Sequence, residues 1–149
     1  MTSALYNQEI LRLATSIPCL GRLEGPGGTA DKRSPTCGSR VIADVRIGED
    51  ARVTALGLDV RACALGQASA ALLGANALGR SAAELREAAT ALRAYLTGAG
   101  EAAEPDFWPG MAVLAPARDY PARHPSILLA FEAASEAAES ALAAQRQKA

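Results

Sequence analysis

Two cysteines and the single histidine of this chain occur at three places where a strand or a helix is expected to begin or end. Cys37 precedes Gly38, Cys63 follows an apolar segment, and His124 precedes Pro125. Thiolates and imidazoles bind soft and borderline transition metals such as zinc, copper and iron. A fold assembles a metal site by bringing such distant element ends together. We therefore interpret Cys37, Cys63 and His124 as candidate metal ligands.

The apolar pattern between the two cysteines predicts how they would meet. Residues Val41–Ile47 alternate between apolar and polar side chains, as in a half-buried strand. Gly48–Asp50 is typical of a turn, and Val53–Leu58 continues as a second strand. The simplest arrangement is an antiparallel hairpin, whose open end would hold both Cys37 and Cys63.

Helical periodicity predicts most of the remaining structure. Ser81 and Glu84 have the spacing of a capping box, and Cys63 opens a helix rich in alanine and glycine. The expected helices are Ser3–Ala14, Cys63–Gly79, Ser81–Gly98 and Ser126–Lys148. The prolines between Glu101 and Arg123 favour irregular chain or a short helical turn that covers the core.

These elements predict an α+β fold with a small antiparallel β-sheet packed against helices and a long C-terminal helix. At 149 residues the chain has the usual size of one domain, so we expect residues 1–149 to share one core. The Gly- and Pro-rich stretch after Pro18 is typical of a mobile connection. A third strand is expected in the region Gly21–Thr36.

Composition excludes several classes of partner. Fifteen Lys and Arg against 16 Asp and Glu give a net charge of -1, so a nucleic-acid partner is not expected. The 18 residues of Ala62–Gly79 carry no charge, but they are only weakly hydrophobic and favour a buried helix over a membrane span. Three cysteines, and a start without a basic segment and apolar run, predict a cytoplasmic location.

The candidate ligands also resemble those of a known family. Cys37–Gly38 before a strand, Cys63 at the start of a small-residue helix and His124–Ser126 at the start of the last helix resemble the iron-sulphur cluster assembly scaffolds of the IscU and NifU N-terminal type. The resemblance covers roughly Leu5–Leu142. It implies an IscU- or SufE-like fold and a scaffold or carrier rather than a catalyst. Iron or a [2Fe-2S] cluster would be bound through Cys37, Cys63 and His124.

Two positions depart from the family pattern. Ser39 stands where the family has an aspartate that is associated with cluster transfer, and a neutral hydroxyl is a poorer ligand than a carboxylate. Pro125 stands where the family has its third cysteine. Proline suits the first turn of a helix, so this residue keeps the helix while it removes a ligand. The chain therefore resembles a divergent member, in which zinc is a second metal to consider.

The resemblance also implies partners. A cysteine desulphurase would deliver sulphur to Cys37 or Cys63, and apo-proteins would accept the finished cluster. The segment Tyr120–Arg123 is loosely similar to the chaperone-recognition segment of the family. An alternative function is a persulphide acceptor that works with a desulphurase through Cys63, since a helix N-terminus favours the thiolate. A further alternative is a degenerate scaffold-like binding module.

Each candidate residue also has a structural interpretation without chemistry. Cys63 could be a small buried packing residue, as free cysteines often are. Cys37 could be a loop cysteine without a role, and His124 a helix-capping or surface histidine. Cys19 matches no ligand of the family, and we predict that it only packs.

Overall fold

The computed structural model describes residues 7–35, 38–98 and 105–148. The elements along the chain are α1 (Gln8–Ala14), β1 (Gly28–Arg33), β2 (Arg40–Ile47), β3 (Val53–Arg61), α2 (Ala64–Asn76), α3 (Ala82–Thr97), short 3-10 helices (Pro105–Phe107, Met111–Asp119 and Pro121–Arg123) and α4 (His124–Lys148). Cys37 and the expected helix cap Ser3 lie outside the described residues.

The three strands form an antiparallel sheet in the order β1-β2-β3. Arg40 lies opposite Arg61 in the β2–β3 pair and opposite Arg33 in the β1–β2 pair. The predicted hairpin and the third strand within Gly21–Thr36 are therefore confirmed. The prediction of a mobile connection is wrong for Gly28–Arg33, because this segment pairs along its whole length with β2 and packs against α4.

Helix α4 lies across β1 and β2 and also packs against α2 and α3. Small residues allow this close approach: a Cβ on Gly28 would lie 2.2 Å from the carbonyl oxygen of Ala137. Phe131 of α4 is fully buried, and Trp108 packs edge-on against its ring. The Trp108 indole N–H donates to the carbonyl oxygen of Leu72 at 2.7 Å. The proline-rich segment thus covers the core as predicted.

The ends of the helices follow from their caps. Ser81 and Glu84 form the predicted capping box, and Gly98 ends α3 in the left-handed conformation. Helix α1 begins at Gln8, because Asn7 has an extended backbone and its side chain accepts from the Ile10 amide. Helix α4 begins at His124, two residues earlier than predicted, since the preceding 3-10 helix leads directly into it.

The uncharged helix α2 is a core helix. Nine of its 13 residues are buried, among them Leu65 and Leu73 with no exposed surface. Across the ranges that the structure describes, no helix is both long and apolar enough to cross a membrane.

Asp44 of β2 anchors the loop that follows α1. Its carboxylate is fully buried and accepts two hydrogen bonds from Arg22, at 2.6 and 3.1 Å. It also accepts from the Thr29 hydroxyl at 2.6 Å and the Leu23 amide at 3.0 Å. Burial alone would raise the pKa of Asp44, but these hydrogen bonds outweigh it and hold the pKa below its usual range.

Candidate functional site

Cys63 is the N-cap residue of α2 and follows the end of β3 by two residues. Its backbone is extended, its side chain is half-buried, and its carbonyl oxygen accepts the first hydrogen bond of the helix, from Gln67. The Cys63 Sγ therefore lies at the end of α2 where backbone N–H groups have no partner within the helix. Such a position suits a sulphur atom that carries negative charge or binds a metal.

Ser126 joins Cys63 to the start of β2. Its Oγ lies 3.4 Å from the Cys63 Sγ and 3.1 Å from the Ser39 Oγ. Ser39 and Ser126 are both buried, with 5% and 2% of their surface exposed. The hydroxyl groups can donate in either direction along this chain of contacts. Three separate elements thus meet at Ser126. The sequence had indicated this residue only as the start of the last helix, two positions after His124.

Gly66 and Ser69, two small residues of α2, allow the start of α4 to pack closely against α2. A Cβ on Gly66 would lie 2.5 Å from the Ser126 Oγ and 3.1 Å from the Ser126 carbonyl oxygen. One turn further along α2, the Ser69 hydroxyl donates to the carbonyl oxygen of Ile127 at 2.7 Å. The Gly66 contact and the Ser69 hydrogen bond therefore fix the position of Ser126 relative to Cys63.

The substitution Gly66→Ala is expected to destabilise the protein by about 2 kcal/mol, the usual cost of overpacking a close contact. Helix propensity alone predicts the opposite, an increase in the free energy of unfolding of roughly 0.5 to 1 kcal/mol. Denaturant unfolding of the variant measures the sign directly. The matched control is Gly48→Ala, where a Cβ would meet only side-chain atoms, at 3.2 Å. A stabilised Gly66→Ala variant would contradict the close packing at Ser126.

The loop between β1 and β2 ends at this site. The Ser34 amide donates to the Ser39 carbonyl oxygen at 2.9 Å, and Gly38 has a φ of +74°, which favours glycine. Cys37 itself lies outside the described residues, so its role as a ligand stays a prediction. Its described neighbours Gly38 and Ser39 lie at the same end of the sheet as Cys63.

His124 is buried, with 9% of its surface exposed, so the alternative of a surface histidine is wrong. Its Nε2 lies 3.0 Å from the carbonyl oxygen of Ala117. Because a carbonyl oxygen can only accept, Nε2 carries the proton in this contact. In a neutral ring Nδ1 then holds the lone pair and is the atom available for a metal.

The described side chains do not complete a metal site by themselves. Within 7–35, 38–98 and 105–148, no group of three His, Cys, Asp or Glu residues is placed to hold a metal ion. Cys19 lies elsewhere, with its Sγ 4.0 Å from the carbonyl oxygen of Gly74 in α2. Burial raises the pKa of the Cys19 thiol, which agrees with its predicted packing role.

Solved structures of other proteins share this fold. The N-terminal part of a nitrogen-fixing NifU-like protein from Brucella abortus is 36% identical to this chain, with a TM-score of 0.83, and the match covers 98% of this chain and 97% of that one. A candidate iron-sulphur cluster assembly scaffold protein for the SUF system from Fervidobacterium islandicum AW-1 is 16% identical, with a TM-score of 0.81 over 90% of this chain and 96% of its own.

A hypothetical protein is 23% identical, with a TM-score of 0.76, and the match covers 88% of this chain and 94% of that one. At these lower identities the likeness concerns the fold alone. No family model matches the chain, and no curated protein matches it significantly. The Brucella match nevertheless extends over nearly the whole of both chains. This chain therefore belongs to the NifU-like family, the IscU and NifU N-terminal type of iron-sulphur cluster assembly scaffold.

Proposed function

We propose that this protein is an iron-sulphur cluster assembly scaffold or carrier that binds iron or a [2Fe-2S] cluster as its cargo. The observation that supports this most is the convergence of Cys63, Ser39 and Ser126 at one end of the sheet of a NifU-like chain. Residues 1–149 would act as one scaffold domain. Its three cysteines, an odd number, suit the reducing cytoplasm, where thiols serve as ligands or nucleophiles.

In this proposal Cys63 and Cys37 bind iron as thiolates. The N–H groups at the α2 N-terminus and the Ser126 hydroxyl would donate hydrogen bonds to the sulphur atoms of the cysteine ligands and of the cluster. Such hydrogen bonds tune the stability and the reduction potential of iron-sulphur clusters. Ser39 would add no negative charge beside these sulphurs, because its hydroxyl stays neutral. Release of the cluster to an acceptor would therefore lack the help with which the family's aspartate is associated.

His124 would be the third ligand, through Nδ1. Its Nε2–H bond to the Ala117 carbonyl fixes the tautomer and the ring orientation, as an outer partner commonly does for a metal-binding histidine. Ala117 belongs to the 3-10 helix Met111–Asp119, which the sequence predicted only as a cover for the core. That segment would thus also orient a ligand.

The partners of such a scaffold would be a cysteine desulphurase, which supplies sulphur, and apo-proteins that receive the cluster. A chaperone could recognise Tyr120–Arg123, where Tyr120 is 41% exposed and Pro121–Arg123 form an exposed 3-10 helix immediately before His124. Docking on this helix would act directly on the position of the histidine.

Anaerobic reconstitution with iron and sulphide tests the proposal. We expect wild-type protein to develop the visible absorption and circular dichroism of a protein-bound [2Fe-2S] cluster, with iron and sulphide in equal amounts. The variants Cys37→Ser and His124→Ala should lose most of this signal, while Cys19→Ala should retain it. The absence of a visible chromophore at every protein concentration would contradict the scaffold role.

A sulphur acceptor is the second candidate, and the position of Cys63 favours it. This half-buried thiol lies at a helix N-terminus beside a hydroxyl, an arrangement that a single persulphide carrier would also need. Incubation with a desulphurase and cysteine, without iron, would then add one sulphur atom to Cys63, as measured by mass spectrometry. A persulphide on Cys63 in a protein that takes up no cluster would favour this role, as would zinc without sulphide.

A further inference from the structure

A cavity of about 310 Å³ lies directly beside His124 and Pro125, between the end of β1, the end of α3 and the start of α4. Its volume is at the lower end of the range for small-molecule pockets. The inner wall is apolar and is formed by three leucines with at most 5% of their surface exposed, namely Leu96, Leu128 and Leu129.

The rim of this cavity is positively charged. Arg33 and Arg93 line it together with a single carboxylate, Glu132, to which the Arg93 guanidinium donates a hydrogen bond. Arg33 is exposed and forms no ion pair with any residue in the described part of the chain. The excess cation, above an apolar wall, favours a small anionic ligand such as a carboxylate.

The cavity adjoins the proposed cluster site at Pro125, where the family's third cysteine ligand is missing. Each iron of a [2Fe-2S] cluster needs two ligands besides the bridging sulphides, so the cluster needs about four in all. This chain offers three candidates, Cys37, Cys63 and His124. Pro125, which follows His124 and lines the cavity, has no side-chain atom that can bind iron. Pro35, also in the lining, precedes Cys37 by two residues.

We infer that the cavity binds a low-molecular-weight thiol that carries a carboxylate, and that this thiol supplies the missing ligand to the bound cluster. The inference rests on the proposed function. Arg33 would bind the carboxylate and the leucine wall would contact the methylene groups. The thiol would release its S–H proton to solvent and bind iron through a sulphur lone pair, in place of a water molecule that leaves the iron for solvent. This is a ligand exchange in which nothing is oxidised or reduced.

The test uses two probes, reduced glutathione and S-methylglutathione, which share their carboxylates but differ in the ligating thiol. Isothermal titration of metal-free protein should show that both probes bind with similar affinity. The variant Arg33→Gln should bind both roughly fivefold more weakly, the effect of losing one exposed charge contact. The control Arg146→Gln, which alters an exposed arginine near the C-terminal end of α4 and outside the cavity lining, should leave binding unchanged.

A second measurement concerns the cluster itself, reconstituted with a phosphine reductant in place of thiols. Glutathione should lengthen the lifetime of the visible chromophore at least severalfold, and S-methylglutathione should not. If neither probe binds the metal-free protein, or both give the same lifetime, the inference is overturned while the scaffold role stands. If the probes bind but no cluster forms with or without glutathione, the proposed function fails and thiol ligation fails with it.

Discussion

Replacing Cys63 by serine is expected to reduce the iron and sulphide that the reconstituted protein retains by more than about tenfold, since even an outer-shell change at a metal site costs that much. The neutral serine hydroxyl is a far poorer ligand than a thiolate. Folding should not suffer, because serine is a preferred N-cap residue and Cys63 occupies the N-cap of α2 without a side-chain cap bond. The variant should therefore be at least as stable as wild type.

A loss of iron and sulphide together with unchanged stability distinguishes a metal ligand from a packing residue. A buried packing cysteine would lose stability on replacement by serine and leave iron content unchanged. Cys19→Ala is the matched control, because Cys19 is also partly buried but lies against Gly74 on another part of α2. Quantitative iron and sulphide analysis, with denaturant unfolding of the same samples, measures both effects. Unchanged cluster retention in Cys63→Ser would exclude Cys63 as a ligand.

Asp44→Ala is expected to destabilise the protein by about 3 kcal/mol, the usual scale for removing one partner of a buried ion pair. The substitution leaves the Leu23 amide and the Thr29 hydroxyl without their acceptor, while the half-exposed Arg22 can turn to water. Denaturant unfolding at pH 7 measures the loss. Asp31→Ala is the control, since its ion pair with Arg40 is partly exposed and should cost less than about 1 kcal/mol.

The effect of Asp44 should also depend on pH in a defined direction. Its pKa is lowered by folding, so its contribution to stability is complete above the unfolded-state pKa of about 4 and disappears as the pH falls through the lower folded-state value. The difference in stability between wild type and Asp44→Ala should therefore shrink as the solution is acidified below about pH 5. A difference that stays constant down to pH 3 would contradict the assignment.

The elements with strong local patterns were predictable from the sequence. The alternation in β2 and the turn after it predicted the hairpin, and Ser81 with Glu84 predicted the start of α3. Strand β1 was only placed within a broad region, since its sequence GTADKR contains little apolar alternation. Its pairing with β2 and its contact with α4 determine the strand, and both are tertiary.

The candidate site likewise contains residues that the sequence could predict and residues that it could not. Cys63 could be predicted because a cysteine at the start of a helix is a local feature. The role of Ser126 could not, because it depends on contacts with Ser39, 87 positions away, and with Cys63. The ring orientation of His124 likewise depends on a carbonyl oxygen, that of Ala117, which no residue pattern reveals. The role of Asp44 as a buried anchor could not be predicted either, because its partner Arg22 lies in a loop.

The measurement that tests the central claim most directly is the metal and acid-labile sulphide content of wild-type protein purified without oxygen. The proposed scaffold role predicts iron and sulphide in equal amounts, bound by a chain that has Ser39 and Pro125 at its site. Both should be lost when Cys63 is replaced. Protein that carries no iron, or zinc without sulphide, would contradict cluster binding by this chain.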